Sequence, residues 1–328
     1  MEDKATLPIW ADLPVALQVR TNTGTESYSR EKLRRSLLPL DLPHNTAQDV
    51  LRAIEQSLND ELRRTIHSYT IRRIAVQFLS DMVSDDAADT YSLWRKLNSG
   101  HRPLAVVLSG ISGAGKSALA AACAWKIGAD SVIDLDHLTG ALIRNKVISL
   151  PEEIVAVLFR TENATRIESD EVDERRLIGH VEKTGHLIAK EAVSTILEAA
   201  AAGTNLVISG SLMLPWLVDL KKLSPDVIVF PVTAAYTDKS DLKRIYDRDD
   251  DRFLDTLWNL NTYFNTRSVR HKIPVIHYAG HDSSLSMLLQ LCTNVLKRRL
   301  GREGVIEDSI NDLRVILEEL HASPSQTV

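Results

Sequence analysis

The chain contains a glycine-rich segment whose residue types suit the binding of phosphate groups. Residues 110–117 read Gly-Ile-Ser-Gly-Ala-Gly-Lys-Ser, and the three glycines allow positive φ angles and a close approach of the backbone to a ligand. In the pattern G-x-x-x-x-G-K-S, the lysine ammonium lies near the β- and γ-phosphates and the serine hydroxyl binds Mg²⁺. We call residues 110–117 the phosphate loop. Its predicted nucleotide contacts are Gly110, Ser112, Gly113, Ala114, Gly115, Lys116 and Ser117.

The residues on either side of the phosphate loop support this interpretation. Residues 105–108 are a continuous aliphatic run, as expected for a strand that is covered on both faces. Residues 118–127 are rich in alanine and favour a helix, which is predicted to end at Gly128. The N-terminal end of that helix would add its positive dipole to the loop. A glycine-rich turn that merely joins two elements is the alternative, but it explains neither the lysine nor the serine.

Asp136 is the first carboxylate that could take part in the chemistry. Residues 131–136 read as a second strand with an acidic end, and the carboxyl ends of parallel strands face the crevice in which open α/β sheets bind ligands. There Asp136 could accept a proton from a substrate hydroxyl or, together with Ser117, hold Mg²⁺. The alternative is an N-cap for a helix that begins at His137. Asp134 alternates to the other side of the strand, so we do not expect it at the site.

Two charged segments supply arginines that could contact an anionic substrate. Residues 139–178 are mostly helical and lie where an acceptor could bind, and residues 237–252 precede the last predicted strand, in a position suited to a lid. The arginines of the second segment recur every four residues, so on a helix they would share one face and could approach transferring phosphates. Charge pairing on a solvated helix is the alternative. The candidates are Arg144, Arg160, Arg244, Arg248 and Arg252, of which Arg248 and Arg252 join Lys116 and Asp136 as predicted catalytic residues.

These candidate residues require a parallel sheet to bring them together. Three further apolar runs, at residues 205–209, 226–232 and 274–278, alternate with helical segments. Strand-helix units with right-handed crossovers, and a phosphate loop after the first strand, predict an α/β domain with a five-stranded parallel sheet. We therefore expect a lead-in at residues 1–13, a small domain at residues 14–99 and the larger α/β domain at residues 100–328.

The composition of the chain argues against several classes of protein. The formal net charge of the 328 residues is -5, so the basic excess of a sequence-independent nucleic-acid-binding protein is lacking. The only cysteines, Cys123 and Cys292, fall in predicted helices, which indicates buried thiols rather than disulfides or a zinc cluster. No apolar stretch reaches membrane-spanning length, and the first residues have no apolar signal core. We expect a cytoplasmic protein with a small-molecule substrate, and a homo-oligomer stays open.

The N-terminal part of the chain combines a predicted hairpin with helices. Residues 15–28 show apolar alternation around a Thr-Asn-Thr-Gly turn. Ser29 fits the N-cap of a helix over residues 30–37, and two further helices are predicted from residue 45 or 46 to about 58 and over residues 70–83. We therefore expect a small, mainly helical domain.

Three features of this domain resemble the ATP-cone, a nucleotide-binding module attached to ribonucleotide reductases, their repressors and some kinases. They are the hairpin with Arg20 and Gly24, the run Tyr-Ser-Arg-Glu-Lys-Leu-Arg-Arg-Ser-Leu at residues 28–37, and the closing Tyr-x-x-Trp-Arg. The resemblance implies a second nucleotide site. Lys32, Arg34 and Arg35 could meet its phosphates, and a basic face that is merely solvated is the alternative.

Most of the chain resembles the archaeal 2-phosphoglycerate kinase family, whose members also carry an ATP-cone-like segment before a P-loop kinase domain. The likeness rests on the order and spacing of the 29–37 run, the phosphate loop, Asp136, Gly210 with Leu214 and Pro215, residues 252–254 and residues 273–276. This resemblance implies a P-loop kinase fold, ATP and Mg²⁺ as cofactors, and transfer of a phosphoryl group to a small hydroxylated metabolite.

Several residues depart from that family on the acceptor side. Where the family has Glu-Gly-Val-His after the third strand, this chain has Ser-Gly-Ser-Leu at residues 209–212. A basic-acidic pair expected after Asp136 is Thr139-Gly140, and an expected arginine is Asn261. Lost ionisable side chains and an apolar surface at Leu212 predict an acceptor that is larger or less polar than 2-phosphoglycerate. A nucleotide-sensing regulator with reduced catalysis, and a kinase of a nucleotide, a nucleotide sugar or a nucleic acid, are the alternatives.

Overall fold

A computed structural model divides the chain into two compact units, Met1–Lys96 and Leu97–Val328. The structure describes residues 17–21, 24–60, 65–98, 102–151, 155, 158, 174–218, 223, 227–246 and 251–300, without the side chains of residues 60, 251 and 252. Each unit has its own set of hydrogen-bonded strands.

The first unit combines a short sheet with helices. Its strands lie in the order β2-β1-β3, with β1 antiparallel to β2 and parallel to β3. The buried side chains of its core come from both the sheet and the helices. The described elements are β1 (Gln18–Thr21), β2 (Gly24–Ser27), α1 (Arg30–Leu37), α2 (His44–Asp60), β3 (Thr65–His67), α3 (Ser68–Met82) and α4 (Asp85–Leu97).

Local sequence signals account for most of this unit. The Ser29 side chain accepts a hydrogen bond from the Lys32 N–H at 3.3 Å, and α1 has the predicted bounds. The predicted hairpin is present as β1 and β2. Strand β3 is absent from the prediction because its three residues show no periodicity of their own. It is a strand because Ile66 and its neighbours pair with β1.

The second unit is built on a parallel sheet of five described strands. They are β4 (Leu104–Gly110), β5 (Ser131–Asp134), β6 (Leu206–Ser209), β7 (Ile228–Ala235) and β8 (Val275–His277), in the order β5-β6-β4-β7-β8. Every residue of β4 is buried, because this strand is central and covered on both faces. The predicted α/β fold with a five-stranded parallel sheet is confirmed.

The strand order has a topological switch point at the carboxyl ends of β4 and β7. From β4 the chain continues to β5 on one side of the sheet, whereas from β7 it continues to β8 on the other side. Ligands of open α/β sheets bind where the connections that follow two neighbouring strands run to opposite sides of the sheet in this way. The phosphate loop follows β4 directly, so it lies at this edge of the sheet.

Helices follow the strands of the second unit. The Cys123 and Cys292 thiols are both buried and free, and burial raises the pKa of Cys292. Within the described ranges, no helix combines the length and the apolar character needed to cross a membrane. The helices are α5 (Lys116–Ile127), α6 (Leu135–Arg144), α7 (Glu174–Ala202), α8 (Lys239–Tyr246), α9 (Asp251–Arg270) and α10 (His281–Leu300).

The second strand is shorter than the sequence predicted. Strand β5 ends at Asp134, and Asp136 lies in the first turn of α6. The Asp134 side chain caps this helix by accepting a hydrogen bond from the Asp136 N–H at 2.9 Å. Placing Asp136 at a strand end was therefore wrong, because the preference of aspartate for the N-cap position starts the helix two residues earlier.

Candidate active site

The phosphate loop has the backbone that its glycines predict. Gly110, Gly113 and Gly115 have φ angles of 137°, 79° and 72°. At Gly110 an added Cβ would lie 2.2 Å from the Ala234 carbonyl oxygen of β7, so only glycine allows β7 to pack this closely. Gly115 is the left-handed N-cap of α5. The loop thus leads directly into a helix N-terminus, as an anion-binding loop requires.

Lys116 lies across the phosphate loop and is almost completely buried, with 5% of its surface exposed. Its Nζ atom donates hydrogen bonds to the Ile111 carbonyl and to Ser211 Oγ, each at 2.9 Å. It also lies 3.8 Å from Asp136 Oδ2. Burial lowers the pKa of Lys116, while Asp136 and Asp134 act in the opposite direction. The ammonium is therefore held in a fixed place beside the loop.

Asp136 is fixed by the loop that follows β6. Its Oδ1 accepts a hydrogen bond from the Ser211 N–H at 2.6 Å, and its Oδ2 accepts one from Ser211 Oγ at 2.9 Å. Ser211 Oγ thus links the Lys116 ammonium to the Asp136 carboxylate. Sequence reasoning missed Ser211, although a serine just after a strand of a parallel sheet lies at the ligand-binding edge. The predicted pair of Lys116 and Asp136 does come together.

Asp134 contributes a second carboxylate to the site. Ser117 Oγ donates a hydrogen bond to Asp134 Oδ2 at 2.9 Å, and His137 Nδ1 lies 3.5 Å from the same oxygen. The strand alternation that was expected to turn Asp134 away does not apply, because β5 ends at this residue. Asp134, and not Asp136, therefore contacts the serine that was predicted to bind Mg²⁺.

The oxygen atoms of Ser117 and Asp134 suit a magnesium ion, which prefers oxygen ligands and completes its octahedral shell with phosphate oxygens and water. In the described part of the chain, no three His, Cys, Asp or Glu side chains cluster as an all-protein metal centre would require. The two residues could therefore hold Mg²⁺ only together with a bound nucleotide and water.

The predicted arginines are less well supported by the structure. Arg244 in α8 pairs with Asp241 at 3.0 Å, which favours charge pairing over phosphate contact for this residue. Arg144 folds back over Gly140, with Nη1 3.4 Å from the position of an added Cβ. Arg160, Arg248 and the side chain of Arg252 lie outside the described residues.

In the first unit, the three candidate phosphate contacts of the ATP-cone-like run have acidic partners. Lys32 forms an ion pair with Glu26, and Glu31 pairs with Arg34 at 2.7 Å and with Arg35 at 3.1 Å. Hydrogen bonds from Arg34, and then from Arg35, lower the pKa of Glu31 to about 2. A phosphate at this surface would have to compete with these carboxylates.

Comparison with known proteins finds relatives along most of the chain. The 2-phosphoglycerate kinase of Methanocaldococcus jannaschii is 25% identical over 309 residues, covering 91% of this chain and 98% of that protein. The enzymes of the same name from Methanococcus maripaludis and Pyrococcus furiosus are 26% and 22% identical, covering 86% and 80% of this chain and 93% and 88% of their own lengths. Over most of its length the chain is therefore similar to 2-phosphoglycerate kinases. No family model and no solved structure matches it.

Four of the departures from the 2-phosphoglycerate kinase family that were inferred from the sequence fall on interior positions. Thr139, Ser209, Leu212 and Asn261 expose 0%, 1%, 1% and 2% of their surfaces. Leu212 packs in the main hydrophobic core, so the apolar acceptor surface expected at this residue is not present. Its side chain is buried because the chain turns into the core after Ser211, where Met213 and Leu214 are also buried.

Proposed function

We propose that the second unit transfers the γ-phosphoryl group of ATP to a hydroxyl group of a small metabolite. The observation that carries this proposal is the contact network that joins the buried Lys116 ammonium, Ser211 and the Asp136 carboxylate at the end of the phosphate loop. A fixed cation and a fixed carboxylate less than 4 Å apart suit a phosphoryl transfer, because the cation can stabilise the transferring group and the carboxylate can bind the acceptor hydroxyl. The names of the relatives support a kinase.

Each group of this network has a distinct chemical role in the proposal. The N–H groups of the phosphate loop and the Lys116 ammonium stabilise the charge on the transferring phosphoryl oxygens. The Asp136 carboxylate orients the acceptor hydroxyl and accepts its proton. Two hydrogen bonds from Ser211 fix the orientation of this carboxylate. Pre-organisation of this kind lowers the cost of aligning the acceptor with the phosphorus atom.

Ser117 and Asp134 are the residues that we assign to Mg²⁺. When bound, the ion would neutralise charge on the nucleotide phosphates. The hydrogen bond between these two side chains supports the assignment, since it places a hydroxyl and a carboxylate oxygen 2.9 Å apart beside the N-terminus of α5.

The acceptor is proposed to be a hydroxylated metabolite that carries less charge than 2-phosphoglycerate or is larger. Thr139, Ser209, Leu212 and Asn261 are neutral and buried, so these positions offer no charged side chain to a bound acceptor. A small and densely charged acceptor would leave oxygen atoms without partners, which costs affinity. On this argument 2-phosphoglycerate is a poor substrate, despite the names of the relatives.

A screen of acceptors tests both parts of this proposal. ADP release would be measured with ATP and Mg²⁺ in the presence of 2-phosphoglycerate and of a panel of phosphorylated and unphosphorylated hydroxy compounds. Acceptor-dependent release with one of the panel, and little release with 2-phosphoglycerate, is expected. Efficient use of 2-phosphoglycerate would refute the acceptor part alone. Nucleotide binding without turnover on any acceptor would favour a regulator.

We also propose that the first unit binds an adenine nucleotide, as its resemblance to the ATP-cone implies. The support is the predicted hairpin followed by the Ser29-capped basic helix α1, both of which are present. Calorimetry with ATP and dATP on a Lys116→Ala variant would isolate this site from the phosphate loop. Binding that is lost when Arg34 and Arg35 are both changed to Ala, and retained when exposed Arg52 is changed instead, is expected. Its absence would make the unit a structural appendage.

A further inference from the structure

Asn261 forms a two-way hydrogen-bonded pair with the backbone of Tyr236. Its Oδ1 accepts a hydrogen bond from the Tyr236 N–H and its Nδ2 donates one to the Tyr236 carbonyl, each at 2.9 Å. Asn261 is in the middle of α9, and Tyr236 directly follows β7. Both residues are buried. The pair therefore ties the carboxyl end of β7 to α9.

The resemblance to the family implies an arginine where this chain has Asn261. A guanidinium group carries only hydrogen-bond donors, so it could bond the Tyr236 carbonyl but could not accept from the Tyr236 N–H. A carboxamide carries both a donor and an acceptor, and it satisfies both backbone groups. A buried N–H without an acceptor is costly. Asn261 thus makes a pair of contacts that an arginine at this position could not make.

The Tyr236 side chain continues this connection to the phosphate loop. Its hydroxyl donates a hydrogen bond to the Gly113 carbonyl oxygen. The ring packs edge to face against Tyr278, with ring centroids 5.7 Å apart. Burial, and then the neighbouring hydroxyls of Tyr246 and Tyr278, raise the pKa of Tyr236, so its hydroxyl stays protonated and remains a donor.

The other side of the same peptide group faces into the loop. The carbonyl of Gly113 and the N–H of Ala114 belong to one trans peptide group and point in opposite directions. The carbonyl is held by Tyr236, while the Ala114 N–H donates to the Ile111 carbonyl at 3.3 Å. That carbonyl also accepts from Lys116. The peptide group is thus held on one side by the Tyr236 hydroxyl and on the other side by the Ile111 carbonyl, which also binds Lys116.

We infer that Asn261 and Tyr236 are positioning residues for the nucleotide: through the Gly113 carbonyl they keep the Ala114 N–H on the inner side of the loop, where a bound phosphate would replace the Ile111 carbonyl as its partner. The inference deepens the proposed function, since it assumes that the loop binds ATP. A flipped peptide would turn a carbonyl oxygen toward a phosphate oxygen, which would replace an attraction with a repulsion. Because the same N–H contact serves ground state and transition state, its loss should raise the KM for ATP more than it lowers kcat.

The test compares Tyr236→Phe with Tyr263→Phe in the full-length chain. Both variants lose one hydrogen-bonded tyrosine hydroxyl in the second unit, but Tyr263 is half-buried and its hydroxyl bonds Glu182 of α7 at 2.6 Å rather than the phosphate loop. The dissociation constants of ATP and ADP with Mg²⁺ would be measured by calorimetry well below the melting temperature of each variant, in chains that also carry Arg34→Ala and Arg35→Ala to remove the nucleotide site proposed for the first unit. Tyr236→Phe is expected to weaken binding about tenfold, as for a hydrogen bond whose partner is left buried, and Tyr263→Phe less than twofold.

Two further results decide the inference. Asn261→Ala should also weaken nucleotide binding. The variant that combines Asn261→Ala with Tyr236→Phe should bind the nucleotide as tightly as the single variant with the lower affinity, because both residues act through one peptide group. Equal affinities with and without Tyr236→Phe, or equal losses in Tyr236→Phe and Tyr263→Phe, would overturn it. Binding is measured without an acceptor, so a wrong acceptor does not affect the outcome. If the chain with only Arg34→Ala and Arg35→Ala binds no ATP, the proposed function itself fails.

Discussion

The donor side and the acceptor side of the candidate site are constructed in different ways. On the donor side, one uninterrupted segment of eight residues forms the phosphate loop, and its backbone N–H groups are the proposed ligands. On the acceptor side, Asp136 comes from α6 and Ser211 from the loop after β6. The donor side therefore depends on local backbone geometry, whereas the acceptor side depends on the packing of elements that are distant in the sequence.

Because of this difference, a change on one side does not require a change on the other. The glycines of the phosphate loop are constrained by φ angles and by close contacts such as that of Gly110 with β7. The acceptor side instead retains Asp136 but has neutral, buried residues at the positions inferred to depart from the family. Replacing a charged side chain there with a neutral one removes the cost of burying a charge, and the backbone is unaffected. Changes of acceptor therefore need no change in the donor loop.

The largest expected effect is on the donor side. Lys116→Ala should lower turnover by on the order of 10³-fold, because it removes the positive charge nearest to the transferring phosphoryl group. Steady-state ADP formation is the measurement, and Lys126→Ala at the other end of α5 is the matched control. The melting temperature should change little, since a buried ammonium carries a desolvation cost that the variant no longer has. Retained turnover would contradict the assignment of the phosphate loop.

Asp136→Asn tests the acceptor side of the same network. The amide is nearly isosteric and can still accept from Ser211, but it is a far weaker base, so turnover should fall about 10²-fold. The affinity for ATP should stay within about threefold of the unmodified chain, since Asp136 is assigned to the acceptor. A variant that loses ATP affinity and turnover together would place Asp136 on the donor side and would remove the distinction drawn here.

The sequence predicted the donor side well because its signals are local. The phosphate loop, the strand before it and α5 follow from glycine positions and from residues that are adjacent in the chain. The five-stranded parallel sheet follows from the alternation of apolar runs with helical segments. Lys116 and Asp136 were correctly paired, because both were expected at the carboxyl edge of the sheet.

The acceptor side could not be predicted to the same extent. The error at β5 came from counting strand alternation through Asp136, whereas the cap at Asp134 ends the strand first. Leu212 was expected at a surface, but the turn into the core is set by packing against α7, where Leu214 contacts Gly185. The pairing of Asn261 with Tyr236 joins residues 25 positions apart, and no local pattern indicates it.

Asp134→Asn should have a smaller effect, which is limited to the binding of Mg²⁺. Asparagine caps helices as well as aspartate does, so α6 should remain intact while the carboxylate beside Ser117 is lost. The Mg²⁺ concentration that gives half-maximal binding of ADP should rise about tenfold, measured by calorimetry without an acceptor. Asp134→Ala, which removes the cap as well, should in addition lower the free energy of unfolding by about 1 kcal/mol. An unchanged Mg²⁺ requirement in both variants would contradict the assignment of Asp134 and would favour Asp136 as the Mg²⁺ ligand.

Ser211→Ala should have the smallest effect, and it tests how closely the two sides are coupled. The hydroxyl links Lys116 to Asp136, but each retains another hydrogen bond, to the Ile111 carbonyl and from the Ser211 N–H. Loss of one such hydrogen bond is worth about 1 kcal/mol, so turnover should fall roughly fivefold. Ser109→Ala is a matched control, since Ser109 is also a buried serine and its hydroxyl has no hydrogen-bond partner among the described residues. That variant should keep full turnover. If Ser211→Ala also keeps full turnover, the Lys116 ammonium and the Asp136 carboxylate act independently. The donor and acceptor sides would then not be energetically coupled through Ser211.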